Sequence, residues 1–254
     1  MNFITIPVRL ASSRFPDKVI QDLHGKPLMQ WIWEACSQVV GSDSVYFNTP
    51  DSKLVAIAES FGAQAVLTDT YNCVLDQCSE ATRKIKEFLP FYDTVTVVQG
   101  DEPMTTPEMI WKSIIGYYNS DCAGSCLYKK ITLEEAKDIN TVKCVLSEEA
   151  GERTFRYLSR SIVPGTTPEK YGRGITEFYK QVCVFTFSVS TLSSWWSNTP
   201  MDSVEASEGI DLIRFTQRGK RIVAIESFED TQAVDTPEDL EKVRELTKDV
   251  QKSK

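Results

Sequence analysis

Four runs of apolar and β-branched residues alternate with stretches whose apolar residues recur at helical spacing, and no other feature constrains the fold of this 254-residue chain so tightly. The runs are Phe3 to Val8, Ser44 to Asn48, Ala63 to Leu67 and Thr94 to Gln99. Between them lie helical patterns over Pro27 to Val40, Ser52 to Phe61 and Val74 to Phe88; the first puts Leu28, Trp31, Ile32 and Ala35 on one stripe. Strands separated by helices predict an α/β fold, a mostly parallel sheet with helices on both faces. From about Cys122 to Phe187 the pattern changes to strand-like runs, Val142 to Leu146 and Val182 to Phe187, around a loop at Pro164 to Gly174. This predicts a small antiparallel lobe, inserted at about 122–190 and suited to dimerisation, within a single domain spanning 1–254. The chain then returns to the main sheet at Ile222 to Ile225 and closes with a helix from Pro237 to Leu246, for which Thr236 is the N-cap.

A net charge of −8 argues against binding to a nucleic-acid backbone, which calls for a surplus of lysine and arginine on one face. An anionic ligand must instead meet a local basic cluster, and one follows the first strand. Arg9 to Lys18 holds two arginines, a lysine and two serines in ten residues. Ligands of open α/β sheets sit beyond the carboxyl ends of the strands, so such a loop is placed to receive phosphate. It lacks the Gly-x-x-x-x-Gly-Lys-Ser/Thr pattern of a P-loop. Seven scattered cysteines and one histidine, His24, offer no zinc spacing and no nucleophilic triad; the thiols read as buried groups in a reducing cytoplasm. No run of about 18 apolar residues predicts a membrane span. Carboxylates also stand just past strand ends. Asp101 follows Val97-Val98-Gln99-Gly100, and Asp235 precedes the last helix, where an aspartate either caps the helix or binds a metal.

Ile6-Pro7-Val8-Arg9 with Ala11-Ser12-Ser13-Arg14-Phe15-Pro16 and Lys18, followed by His24-Gly25-Lys26-Pro27-Leu28, closely resembles the opening signature of CMP-sugar synthetases. Among these it is most similar to the 3-deoxy-manno-octulosonate (Kdo) cytidylyltransferases, whose loop reads Pro-Ala-Arg-x-x-Ser-x-Arg-Leu-Pro-x-Lys. The likeness recurs at Gln99-Gly100-Asp101, at Leu158-Ser159-Arg160-Ser161-Ile162-Val163-Pro164 and at Val234-Asp235-Thr236-Pro237-Glu238-Asp239-Leu240. It implies a Rossmann-like nucleotidyltransferase fold, a cytoplasmic homodimer and transfer of CMP from CTP to a Kdo-like sugar acid, with pyrophosphate released, in lipopolysaccharide or capsule biosynthesis. It also implies Mg²⁺ held by Asp101 and Asp235, which with Lys18 form the catalytic set. Arg9, Ser12, Ser13, Arg14, Lys18 and Asp76 would contact the nucleotide, and Gln99, Arg160, Gln181, Glu208 and Asp211 the acceptor.

The chain departs from the family in two places. Thr68 to Gln77 replaces the family's Ser-Gly-Thr-Asp/Glu-Arg, so Gln77 stands where the family has arginine; Gln181 stands where it has histidine. Two further readings therefore stay open: CMP transfer to a phosphonate or phosphorylated metabolite, and a non-catalytic nucleotide-binding homologue.

Overall fold

The computed structural model describes residues 1–12, 14–149, 151–165 and 177–248. Its frame is one nine-stranded sheet: β1 (Asn2–Pro7), β2 (Val45–Thr49), β3 (Gln64–Leu67), β4 (Thr94–Val98), β5 (Gly124–Ile131), β6 (Lys143–Glu149), β7 (Glu152–Ser159), β8 (Phe178–Ser188) and β9 (Ile222–Glu226). The order across the sheet is β3-β2-β1-β4-β8-β5-β9-β7-β6. β3, β2, β1 and β4 are parallel, as the alternating pattern predicts. The sheet as a whole is mixed, because β8 enters antiparallel against β4 and β5, and β6 and β7 form an antiparallel hairpin; β9 is parallel to β5 alone. The expectation of a mostly parallel sheet thus holds only for the first hundred residues. A two-residue connection such as that between β6 and β7 cannot carry the chain back for a parallel pairing.

The segment expected as a lobe, at about 122–190, supplies β5 to β8, all built into this sheet. Its far end curls back on itself: Tyr179 and Lys180 at the start of β8 pair with Cys144 and Lys143 on β6, while Val184 to Ser188 of the same strand pair with β4. β8 is therefore shared between the parallel half and a closed ring of strands in which only the β5–β9 pairing is parallel.

Side-chain alternation along the strands divides the core in two. On one face Ile4, Ile6 and Val98 pack with α1 (Leu28–Val40), α2 (Ser52–Ser60), α4 (Pro107–Tyr118) and α8 (Pro237–Leu246). On the other, Phe3, Val95, Val97, Phe185 and Phe187 pack with α3 (Val74–Phe88), a π-helical turn at Thr191–Trp196 and α7 (Leu212–Gln217). Two further α-helices are short, α5 (Leu133–Ala136) before β6 and α6 (Ser203–Glu208) before α7. Each fully buried Leu, Ile or Phe contributes about 1.5–3 kcal/mol, so the two layers fix where every strand ends. The ends of β1 and β4 lie side by side because Gly100 has no Cβ; one built there would stand 2.4 Å from Val8 Cγ1 and 2.6 Å from the Pro7 carbonyl oxygen.

Among the described residues, no helix is long and apolar enough to cross a membrane. Thr236 caps α8 as the sequence predicts, with Asp239 closing the capping box.

Candidate active site

A cavity of about 800 Å³ opens at the carboxyl ends of β1 and β4. Arg9, Ser12, Arg14 and Lys18 line it from the loop after β1, Gln99 and Asp101 from the end of β4, Arg160 from the end of β7, and Asp235 from the approach to α8. Four segments far apart in sequence thus meet at one place. Ser13 lies outside the described residues, as do 166–176 of the Pro164 to Gly174 loop.

Lys18 is the hub. Its Nζ donates to Asp101 Oδ2 at 2.7 Å and to Asp235 Oδ1 at 2.8 Å, and Asp235 Oδ2 accepts from Arg14 at 2.8 Å. Burial by itself would lower the Lys18 pKa; the charges and hydrogen bonds of the two aspartates outweigh it and hold the ammonium above its ordinary value. Burial likewise pulls Asp235 upward, but Lys18 and then Arg14 bring it below the usual carboxylate range. Both partners are therefore charged at neutral pH. Asp235 is not an N-cap, since Thr236 takes that place.

The remaining expected residues divide between cavity and support. Among the described residues Arg9 donates to the Tyr71 carbonyl oxygen, at 3.3 Å, and it is exposed in the cavity. Gln181 lines a second cavity of about 630 Å³, which shares Arg14 and Asp235 with the first. Glu208 lines neither cavity and instead holds Arg160: Oε2 accepts from the Arg160 backbone N–H at 3.0 Å, and the Glu208 carbonyl oxygen accepts from Arg160 Nε at 3.1 Å. Asp211 accepts from the Leu75 backbone N–H at 2.9 Å, capping α3 from outside, and burial raises its pKa. Asp76 also turns away from the cavity. Its Oδ1 accepts from Trp196 Nε1 at 2.7 Å and from Arg214 at 3.3 Å. Asp76 and Asp211 line neither cavity, and both carboxylates accept from donors around the start of α3.

Other lining residues are not among the expected contacts, although Gln77 is marked as a departure from the family. Gln77, not Asp76, faces the cavity, with its amide nitrogen donating to the Asn48 carbonyl oxygen at 2.8 Å. Tyr71 and Val74 complete that wall. Asn140 accepts from Arg14 at 2.9 Å across the second cavity. Helical periodicity does point to Gln77, one position beyond an acid in the first turn of α3; no sequence signal marks Asn140.

The arrangement concentrates cationic donors around two carboxylates that share one ammonium. Such a site can take a polyphosphate on Arg9, Arg14 and Lys18, and an acid on Arg160.

Comparison with known proteins finds relatives over nearly the whole chain. The family model described as cytidylyltransferase matches residues 3–246. The 3-deoxy-manno-octulosonate cytidylyltransferase of Parabacteroides distasonis is 32% identical over 251 residues, covering 95% of this chain and 96% of that protein. That of Francisella tularensis subsp. holarctica is 35% identical over 251 residues, covering 96% and 97%. Among solved structures, a CMP:2-keto-3-deoxy-manno-octonic acid synthetase complexed with CTP superposes with a TM-score of 0.85 at 29% identity, covering 98% of both chains. A glucose-1-phosphate thymidylyltransferase from Bacillus anthracis shares the fold, with a TM-score of 0.68 at 11% identity.

Proposed function

Because this chain belongs to the cytidylyltransferase family, we propose that it transfers CMP from CTP to a Kdo-like 3-deoxy-2-ulosonic acid, releasing pyrophosphate. The observation that carries the reading is the Lys18, Asp101 and Asp235 cluster, flanked by Arg9, Arg14 and Arg160 in one cavity. In this reading a hydroxyl oxygen of the acceptor forms a bond to the α-phosphorus as the bond to the bridging oxygen of pyrophosphate breaks. The hydroxyl proton passes to solvent. Arg9, Arg14 and Lys18 take up the charge gathering on the leaving pyrophosphate, and Arg160 orients the acceptor through its carboxylate.

Asp101 and Asp235 fit Mg²⁺ in their chemistry: two hard oxygen donors already converge on one cation, the Lys18 ammonium, beside room for phosphate oxygens. Once bound there, the ion would polarise the α-phosphate and acidify the attacking hydroxyl. The proposal includes a cytoplasmic homodimer, which light scattering of the purified protein would test.

Pyrophosphate release, measured with CTP, UTP, ATP and GTP in turn, each with Mg²⁺ and with Kdo, 8-amino-Kdo or sialic-type acids, tests the reaction. Release that depends on CTP and on one ulosonic acid is expected. Failure of every sugar acid to give release, alongside CTP binding by calorimetry, would move the reading to a phosphonate or phosphorylated acceptor. Gln77 and Gln181, standing where the family has arginine and histidine, are what keep that second reading in view.

A further inference from the structure

Lys143, on β6, has no solvent exposure. An ammonium taken out of water costs free energy unless its three N–H donors are all used. Here they are. Nζ donates to the carbonyl oxygens of Asp138 at 2.8 Å, Thr141 at 2.6 Å and Arg160 at 2.5 Å. These carbonyls belong to two separate segments, the turn at 138–141 between α5 and β6 and the end of β7.

Each segment presents groups to the cavities. From the turn, Asn140 accepts from Arg14, and the Ile139 carbonyl oxygen accepts from Arg160 NH1 at 3.4 Å. Asp138, Asn140 and Thr141 line the second cavity while Arg160 lines the first. Arg160 is thereby gripped at its backbone from both sides, its N–H by Glu208 and its carbonyl by Lys143. Lys143 itself touches neither cavity, so its effect must pass through these neighbours. A flexible stem ending in three rotatable donors suits three carbonyls; an arginine fork is planar, and glutamine has two donors.

We infer that Lys143 is a positioning residue: its buried ammonium ties the 138–141 turn to the end of β7 and so sets Arg160 and Asn140 on the wall that receives the acceptor. The acceptor part of this inference rests on the proposed function. The tie between the two segments does not.

The test compares Lys143→Met, which keeps the length and removes every donor, with the wild-type protein. Two readouts are taken below the variant's melting temperature: amide hydrogen exchange without substrates, and steady-state kinetics. Exchange at Asn140, Thr141 and Arg160 is expected to rise by about tenfold or more, as expected when local opening becomes easier. The acceptor KM is expected to rise about tenfold, the scale of one loosened hydrogen bond to a charged group. The CTP KM and kcat should stay within about threefold of wild type, because Asp235 still holds Arg14. Unchanged exchange at these amides overturns the inference. So does a variant in which both KM values rise and kcat falls together, or in which none of the three moves. Should Lys143→Met fail to fold, Lys143→Gln, which keeps two donors, carries the same comparison. If the wild-type protein releases no pyrophosphate with any pair of substrates, the functional reading falls, while the exchange arm still decides whether Lys143 holds the two segments together.

Discussion

Lys18 and Arg214 each bridge two carboxylates, yet the two cations are built for opposite purposes. Lys18 joins Asp101 and Asp235 at the mouth of the cavity, where their side chains keep 12%, 22% and 30% of their exposure. Arg214 joins Glu205, buried with it inside the protein, to Asp76, which keeps 32% of its side-chain exposure. Its fork meets both Glu205 oxygens, at 2.6 and 2.7 Å, and its plane lies 3.6 Å from the Trp196 ring centre. With 4% exposure for Arg214 and 1% for Glu205, nothing reaches this pair from outside. An ammonium on a flexible stem can be displaced by an arriving ligand, whereas a stacked, bidentate guanidinium cannot leave without exposing a buried charge. The charges alone do not separate support from chemistry; access and saturation of the donors do.

Removing Arg214 should break the comparison most visibly. Arg214→Met leaves Glu205 buried without its partner, and a loss of about 3–5 kcal/mol in urea denaturation is expected. The fraction still folded should keep the wild-type CTP KM. A variant that stays stable but loses turnover would move Arg214 into the active site. Next in size, Asp101→Asn should lower kcat by about 10² to 10³ with the melting temperature held or raised, since it relieves an open cluster and removes no core contact. Loss of stability matching that of Arg214→Met would erase the distinction. A smaller effect separates the clusters by metal. Saturating Mg²⁺ should raise wild-type stability by up to about 2.7 kcal/mol at a hundredfold excess over Kd, and chelation should abolish pyrophosphate release. Asp235→Asn should lose this Mg²⁺ response, while a change at Trp196 should retain it.

The smallest effect concerns Glu208, which is half-buried. Burial pulls its pKa upward, but hydrogen bonds from the Arg160 backbone, Ser159 and Tyr157 take it below the usual carboxylate value. A depressed folded-state pKa contributes stability above the unfolded carboxylate range, and that contribution is lost as pH falls through the folded value. The melting-temperature gap between wild type and Glu208→Gln should therefore be widest near neutrality and shrink from about pH 5 downward. A gap independent of pH would mean that the uncharged form holds Arg160 equally well.

Much of the cavity was legible before any coordinates. Arg9, Lys18 and Asp101 stand just past strands whose β-branched runs announce themselves, and a charged group there has no packing role to explain it. The first four strands and their helices follow from periodicity for the same reason. The donors that Asp76 and Asp211 hold could not be read in advance, because an acid near a helix start looks identical in sequence whether it faces a ligand or caps a neighbouring helix. The antiparallel half depends on which edge β8 joins, and alternation along one strand carries no record of its partners. Lys143 is hidden more deeply, since a lysine in a strand pattern reads as a solvent-facing residue.

The missing Cβ at Gly100 has a bearing on redesign. Backbone contact at that point sets the spacing between the β1 loop and Asp101, so no gradual series of side-chain sizes can widen the site from that direction. Libraries aimed at bulkier acceptors should spare 97–101 and vary Asn140 and Gln181 in the second cavity, which offer side chains that can be resized one at a time.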